Sequence, residues 1–252
     1  MDRAFFASLS TVARAAIATE MKVGLRADNK EVGGYDPVTE ADRAAERKMR
    51  RIIEQTYPKH GIWGEEYGAT RENAAVEWSL DPVDGTRALV CGLPSWAVLV
   101  GLIVDGEHVA AMIDLPAISE TLVAVDGITE RNGAAVRTSG CTLLAEARLA
   151  TTDPYLFADR APFERVREAA RLTRYGLDAL AYARVATGDI DLVVESGLKR
   201  HDYDALVAMV RGSGGVIGNW AGGVDLSEGS VVAAASRALF DEAVAVLGGK
   251  SG

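Results

Sequence analysis

Trp78-Ser-Leu-Asp-Pro-Val-Asp-Gly-Thr86 is the stretch on which the reading of this chain turns. Apolar residues run into two carboxylates three positions apart, and a Gly-Thr pair follows at once. A strand from about Val76 to Leu80 is expected to end at Asp81, because Pro82 has no N–H for a ladder and favours a turn. Two carboxylates beside a turn, with backbone N–H groups near Gly85 and Thr86, offer a place for a hard cation and an anion together. Asp, Pro and Gly are also the commonest turn residues, so taken alone the stretch fits an ordinary surface turn as well.

The surrounding composition narrows the class. The chain has 252 residues, 48% hydrophobic and 25% charged, which is ordinary globular usage with length for one large core or two joined lobes. A net charge of -9 disfavours a nucleic-acid backbone as partner and leaves room for a small phosphate ester held through metal. Cys91 and Cys141 are the only cysteines, so neither a disulfide framework nor a four-sulfur zinc site is expected. No basic segment leads into an apolar one at the N-terminus, and the apolar run Trp96 to Val104 is interrupted by Gly101 and too short to span a bilayer. These features suggest a soluble, cytoplasmic protein with no membrane partner.

Taken in order, residues 2 to 25 carry Phe5, Leu9, Val12, Ala16 and Ile17 at helical spacing. Arg26 to Asp36 reads as a flexible arm. Thr39 can cap a second helix running to about Tyr57, with Asp42 three positions on. Residues 96 to 104, 108 to 115 and 120 to 126 read as consecutive strands, with Asp105-Gly106 and Asn132-Gly133 as turns. In the second half, Ala147 to Thr152, Asp189 to Glu195, Val216-Ile217 and Val231 to Ala235 read as strands. Pro162 to Arg174, Leu177 to Ala186, Asp202 to Arg211 and Arg237 to Leu247 read as helices. Strands alternating with helices suggest a second sheet covered by helices, and the join between residues 1–140 and 141–252 is placed near Gly140. His60 and His108 fall in turns without ligand spacing and are expected to be solvated. Cys91 has no evident base beside it.

Four acidic clusters stand at element ends: Asp42, Glu65-Glu66, Asp81 with Asp84, and Asp202. If the fold gathers them, oxygen-only ligands favour magnesium or manganese over zinc. At this point the chain resembles the magnesium-dependent inositol monophosphatase family. The resemblance rests on Asp36-Pro-Val-Thr-Glu-Ala-Asp42, Gly64-Glu-Glu66, the long Trp78 to Thr86 stretch and Gly212-Ser-Gly-Gly215, and so covers nearly the whole chain. It implies an α+β, sugar-phosphatase-like fold layered α/β/α/β/α, with a 1–140 lobe carrying most metal ligands and a 141–252 lobe completing the site. It further implies a homodimer acting on a small phosphorylated metabolite.

Carried over by motif, Glu65, Asp81 and the Val83 carbonyl would hold a first Mg2+, and Asp81, Asp84 and Asp202 a second. Two or three ions, with Mn2+ as a substitute, are what the family implies. Thr86 with Asp42 would orient and help deprotonate the attacking water, and the N–H groups of Gly85 and Thr86 would hold the phosphate. Glu66 reads as a supporting or solvated residue. In Lys199-Arg-His-Asp-Tyr-Asp-Ala-Leu206 both Asp202 and Asp204 are available. Tyr203-Asp204-Ala205 matches the family's aromatic-Asp-x-Ala pattern superficially. Asp202 is preferred because it follows Glu195 by seven positions and precedes Gly212-Ser-Gly-Gly215 by the family's interval. His201 then stands at an aromatic position and is read as packing there as a neutral imidazole, with substrate contact as the alternative.

Asp36 to Arg43, Thr151 to Phe157 and Glu195-Ser-Gly-Leu-Lys199 resemble the histidinol-phosphate phosphatases of this family. The chain departs from them at Gly176-Leu-Asp178, where Gly-Gly-Asp is usual, at Arg200-His201, where Pro-Tyr is usual, and at Arg87, where Lys is common. These differences bear on the substrate side, where Arg87, Asp178, Glu195 and Asp202 are expected to lie. The resemblance therefore implies hydrolysis of a phosphate monoester, histidinol phosphate first. Inositol 1-phosphate, fructose 1,6-bisphosphate and adenosine 3',5'-bisphosphate are the alternatives within enzymes, and a non-catalytic phosphate-ligand binding protein is the alternative outside them.

Overall fold

The computed structural model describes residues 2–29 and 37–249. The expected arm over Arg26 to Asp36 lies outside the described residues from position 30 onward, as does Asp36 of the first motif. Residues Ala27–Asn29 (β1) pair antiparallel with Pro37–Thr39 (β2). The helix Arg3–Val23 (α1) precedes this pair, and Glu40–Thr56 (α2) follows it. Asp2 caps α1 by accepting from the Ala4 N–H, and Thr39 and Asp42 form a reciprocal capping box on α2.

Next come Gly61–Gly64 (β3), Gly68–Thr70 (β4), Val76–Asp84 (β5), the one-turn helix Thr86–Val90 (α3), Ala97–Val104 (β6), Glu107–Leu115 (β7), Glu120–Val125 (β8), Ile128–Arg131 (β9) and Ala134–Ala135 (β10). They form an eight-stranded sheet ordered β10-β9-β8-β7-β6-β5-β3-β4, antiparallel except where β3 runs parallel to β5. Left-handed pairs at Asp105-Gly106, Asp126-Gly127 and Asn132-Gly133 turn its hairpins. The second of these was not anticipated.

The second sheet is built from Arg148–Thr151 (β11), Leu172–Tyr175 (β12), Leu192–Glu195 (β13), Val216–Gly218 (β14) and Val231–Ala234 (β15), in the order β12-β11-β13-β15-β14. Its helices are Ala161–Ala169 (α4), Ala179–Ala186 (α5), Arg200–Gly212 (α6) and Arg237–Leu247 (α7).

Three buried clusters define the layers. Phe6, Leu9, Met49 and Ile53 of α1 and α2 pack on Trp78, Leu80, Val98 and Val100. On the opposite face of the same sheet, Leu99, Ala111 and Ile113 meet Tyr182 of α5 and Leu206 and Met209 of α6, which also cover Val193 and Val231 of the second sheet. Phe163 of α4 and Phe240 of α7 close the far face over Leu149, Val194 and Val232. The order is therefore α/β/α/β/α, as expected. Strand alternation makes it possible, since Val98 and Val100 face one layer and Leu99 the next. Gly101 interrupts that apolar strand because α6 crosses there; a Cβ would lie 3.0 Å from the Asp204 carbonyl carbon.

Two boundaries differ from expectation. The strand does not end at Asp81: β5 continues to Asp84, with Asp81 opposite Leu99 and Asp84 opposite Ala97. Three steps on β5 face two on β6, so one extra residue is accommodated as a bulge at Pro82, where a missing N–H does no harm. The helix expected over Pro162 to Arg174 stops at Ala169, and Leu172–Tyr175 becomes an edge strand parallel to β11. Leu, Thr, Arg and Tyr carry no strong local preference, so pairing with β11 decides their state.

Candidate metal centre and active site

The carboxyl end of β5 and the first turn of α6 meet at a cavity of about 390 Å³. Here one oxygen each of Asp81, Asp84 and Asp202 lies within 4.8 Å of the other two. Asp81 is buried, and its Oδ1 accepts from the Val83 N–H at 3.0 Å. Asp84 accepts from the Ala179 N–H at 2.6 Å, so the first turn of α5 is tied to the cluster. Asp202 turns back to accept from the Lys199 N–H at 2.6 Å, which fixes the start of α6.

Burial pushes the carboxyls of Asp81 and Asp84 well above the usual carboxylate range. The charges of Glu65, Asp84 and Asp202 add to this at Asp81, and those of Asp178 and Asp202 at Asp84. Asp202 is raised as well, again chiefly by burial. Acids gathered this closely cannot all ionise at neutral pH without a cation. The three carboxylates are hard oxygen donors, and the cluster fits magnesium or manganese.

Glu65 lines the same cavity from the end of β3, where its N–H donates to the Leu80 carbonyl at 3.1 Å. Its position depends on a residue the sequence reading missed. Glu46 of α2 is fully buried and accepts from the N–H groups of Glu66 at 2.8 Å and Tyr67 at 3.2 Å, while Arg50 clamps it at 2.6 Å. A Cβ at Gly64 would overlap the Glu46 carboxylate, so the Gly-Glu-Glu turn requires glycine at this point. A Glu and an Arg four apart on one helix face were the available signal, a spacing that fits an exposed ion pair as readily as a buried clamp. Glu66 contributes its backbone N–H to this clamp.

The Thr86 hydroxyl lies 3.1 Å from Asp42 Oδ1 and 2.9 Å from the Val83 carbonyl, two acceptors competing for one proton. Asp42 is buried, which raises its pKa, although its bonds from the Thr39 side chain and backbone oppose the rise. Gly85, with φ +77°, turns the chain into α3, and Arg87 follows on the cavity wall. A Cβ at Gly85 would lie 2.9 Å from Asp178 Cγ, so these two positions are in direct apposition.

Asp178 holds φ +48° and ψ −142°, a conformation that strains any residue but glycine. Its pKa is raised to about 6 by burial, against a hydrogen bond from Ser95 at 3.4 Å and the charge of Arg87. Glu195 ends β13 and accepts from the Thr152 N–H at 2.6 Å and the Thr151 hydroxyl at 3.3 Å; burial raises its pKa to about 7. Ser95, Thr151 and Thr152 were not anticipated as supports.

The structure separates the two α6 aspartates. Asp204 points away from the cluster and is taken up by His108 at 2.8 Å and Arg200 at 3.0 Å, with Arg200 also bonded to Glu77 at 2.6 Å. His201 is buried on the cavity wall, its Nε2 3.5 Å from Asp202 and 3.9 Å from Glu65. It therefore fills its position beside the acids rather than away from them. The solvated reading of the other two histidines is corrected: His108 pairs with Asp204, and His60 accepts from the Trp78 indole at 3.1 Å while stacking on Tyr57. No described helix is long and apolar enough to cross a membrane.

Against known proteins, the family model described as the inositol monophosphatase family matches residues 2–248. A chloroplastic bifunctional phosphatase of Arabidopsis thaliana is 42% identical over 205 residues, 79% of this chain and 59% of the plant protein. A histidinol-phosphatase of Mycobacterium tuberculosis is 31% identical over 251 residues, 93% of this chain and 94% of that protein. Among solved structures, an inositol monophosphatase from Zymomonas mobilis superposes with a TM-score of 0.86 at 37% identity, covering 97% and 96% of the two chains.

Proposed function

The chain belongs to the inositol monophosphatase family, and from that premise we propose that it hydrolyses a small phosphate monoester, histidinol phosphate in the first place, to the free alcohol and phosphate. The observation that carries this reading is the apposition of the Asp81, Asp84 and Asp202 cluster to a cavity that Asp178 and Glu195 also line. Two or three Mg2+ ions held by Glu65, Asp81, the Val83 carbonyl, Asp84 and Asp202 would supply the positive charge that phosphoryl transfer demands.

The chain's own groups supply the rest. Asp42 and Thr86 orient the attacking water and take its proton, consistent with a hydroxyl set between Asp42 and the Val83 carbonyl. The N–H groups of Gly85 and Thr86 hold a phosphoryl oxygen, with Arg87 beside them. Asp178 and Glu195 take the leaving portion. Both are carboxyls kept from easy ionisation by burial, and a cationic amine relieves that cost more fully than a neutral hydroxyl does. This favours an amino alcohol phosphate over inositol 1-phosphate, and the relatives named histidinol-phosphatase support the same order. On this reading the protein acts as a cytoplasmic homodimer without nucleic-acid or membrane partners.

The test is a rate panel with Mg2+ on histidinol phosphate, inositol 1-phosphate, fructose 1,6-bisphosphate and adenosine 3',5'-bisphosphate. Histidinol phosphate should give the highest kcat/KM, and Asp84→Asn should lower it at least a hundredfold. A faster polyol phosphate overturns the substrate assignment. Full activity in Asp84→Asn overturns the metal assignment, and phosphate-ligand binding without turnover in the wild type supports the non-catalytic alternative.

A further inference from the structure

One buried polar group on the cavity wall has no place in the chemistry above. Tyr182 lies on α5, one turn past Asp178 and Ala179, and is only 2% exposed. Its hydroxyl has no hydrogen-bond partner among the described residues. Thr70 and Ser79, the other described hydroxyls that are buried without a hydrogen-bond partner, do not line this cavity. Phenylalanine would fill the same volume without burying an unpaired hydroxyl, which is unfavourable in a protein interior. The oxygen of Tyr182 is thus an atom for which the fold itself has no use.

Its surroundings indicate what would use it. Burial first, then the charges of Glu195, Asp84 and Asp202, push the phenol well above its ordinary pKa, so it stays neutral and can both give and accept a hydrogen bond. Those carboxylates already accept from the chain: Glu195 from Thr152 and Thr151, Asp84 from Ala179, and Asp202 from Lys199. Glu195, the charge that bears on Tyr182 most, ends a strand of the second sheet. An N–H or O–H brought in by a ligand could be shared between the Glu195 carboxylate and the Tyr182 oxygen.

We propose that the Tyr182 hydroxyl is a specificity-determining substrate contact, binding together with Glu195 a hydrogen-bonding group on the leaving portion of the phosphate ester. This rests on the phosphatase reading above. The shared chemistry is an N–H or O–H close to the ester carbon, which an amino alcohol phosphate and a polyol phosphate both present.

The experiment compares wild type and Tyr182→Phe, full-length and loaded with Mg2+, on histidinol phosphate, inositol 1-phosphate and propyl phosphate, which has no such group. The expected result is a KM increase of roughly tenfold on the substrate bearing the group, the worth of one hydrogen bond, with kcat altered much less. That increase should exceed any on propyl phosphate about tenfold, and the metal-free variant should melt no lower than wild type. Whether the selective loss falls on histidinol phosphate or on inositol 1-phosphate identifies the source of the group. Equal losses on all three substrates, or none, overturn the inference and leave the phosphatase reading intact. A wild type that hydrolyses none of the three overturns both.

Discussion

Replacing Glu195 by glutamine should remove a pH dependence of stability that the metal-free protein shows between about pH 4.5 and 7. In the fold, burial raises this carboxyl from 4.5 to about 7. Between those values the unfolded chain has lost the proton and the folded chain retains it. Folding then binds a proton, so stability falls as pH rises through the window; the contribution is complete below 4.5 and lost above 7. At ~1.4 kcal/mol per pH unit, the interval corresponds to about 3 kcal/mol. The side chain is buried, so little discount for solvent is warranted. Glutamine keeps an oxygen for the Thr152 N–H and has no proton to lose. Urea unfolding in EDTA, followed by tryptophan fluorescence from pH 4.5 to 8, should show Glu195→Gln gaining roughly 3 kcal/mol on wild type across the range. Taking the difference cancels the other acids that titrate in the same direction. A difference that stays constant to within about 0.5 kcal/mol would refute the idea that burial holds Glu195 protonated.

Four further outcomes follow from the geometry. Asp202→Asn should weaken Mg2+ binding at least tenfold by calorimetry and leave the metal-free fold as stable as wild type or more so, because it relieves repulsion. Asp204→Asn should do the reverse, costing about 2 kcal/mol in urea unfolding through loss of the Arg200 and His108 contacts; a larger loss of metal affinity in this second variant would overturn the choice between them. Gly64→Ala should destabilise by about 1–3 kcal/mol and loosen Mg2+, since Glu46 must give way; an unshifted melting temperature would mean that the clamp yields freely. Added Mg2+ should raise the melting temperature more at pH 8 than at pH 5, because protons compete for carboxyls whose pKa values are raised; the opposite order would exclude the acidic cluster as the binding site.

The sequence made the layers and the cluster legible to different degrees. Helical spacing in α1 was visible because that helix has one apolar face, β6 and β7 were visible as apolar runs bounded by turn residues, and the Thr39 cap with Asp42 is a local pattern. Leu172–Tyr175 was hidden because an exposed edge strand is defined by its neighbour, not by its own residues. Within the site, Asp81, Asp84, Glu65 and Asp202 were legible through motif order. Glu46, Ser95, Thr151 and Thr152 were not. They act by hydrogen-bonding a segment distant in sequence, and neither spacing nor composition records such a contact.

The bulge at Pro82 makes chain length itself a component of the site. On a regular strand, residues three apart point to opposite sides, so Asp81 and Asp84 would serve different layers. The extra residue reverses the alternation once: Trp78 and Leu80 join the α1/α2 layer and so does Val83, which frees Asp84 to face the same way as Asp81. Deleting a single residue here would restore an uninterrupted ladder with the two aspartates two apart and still on one face, but would remove the bulge in which the Val83 N–H meets Asp81. Side chains around the cavity can therefore vary with the substrate, whereas the extra residue is what lets two aspartates three apart share one face.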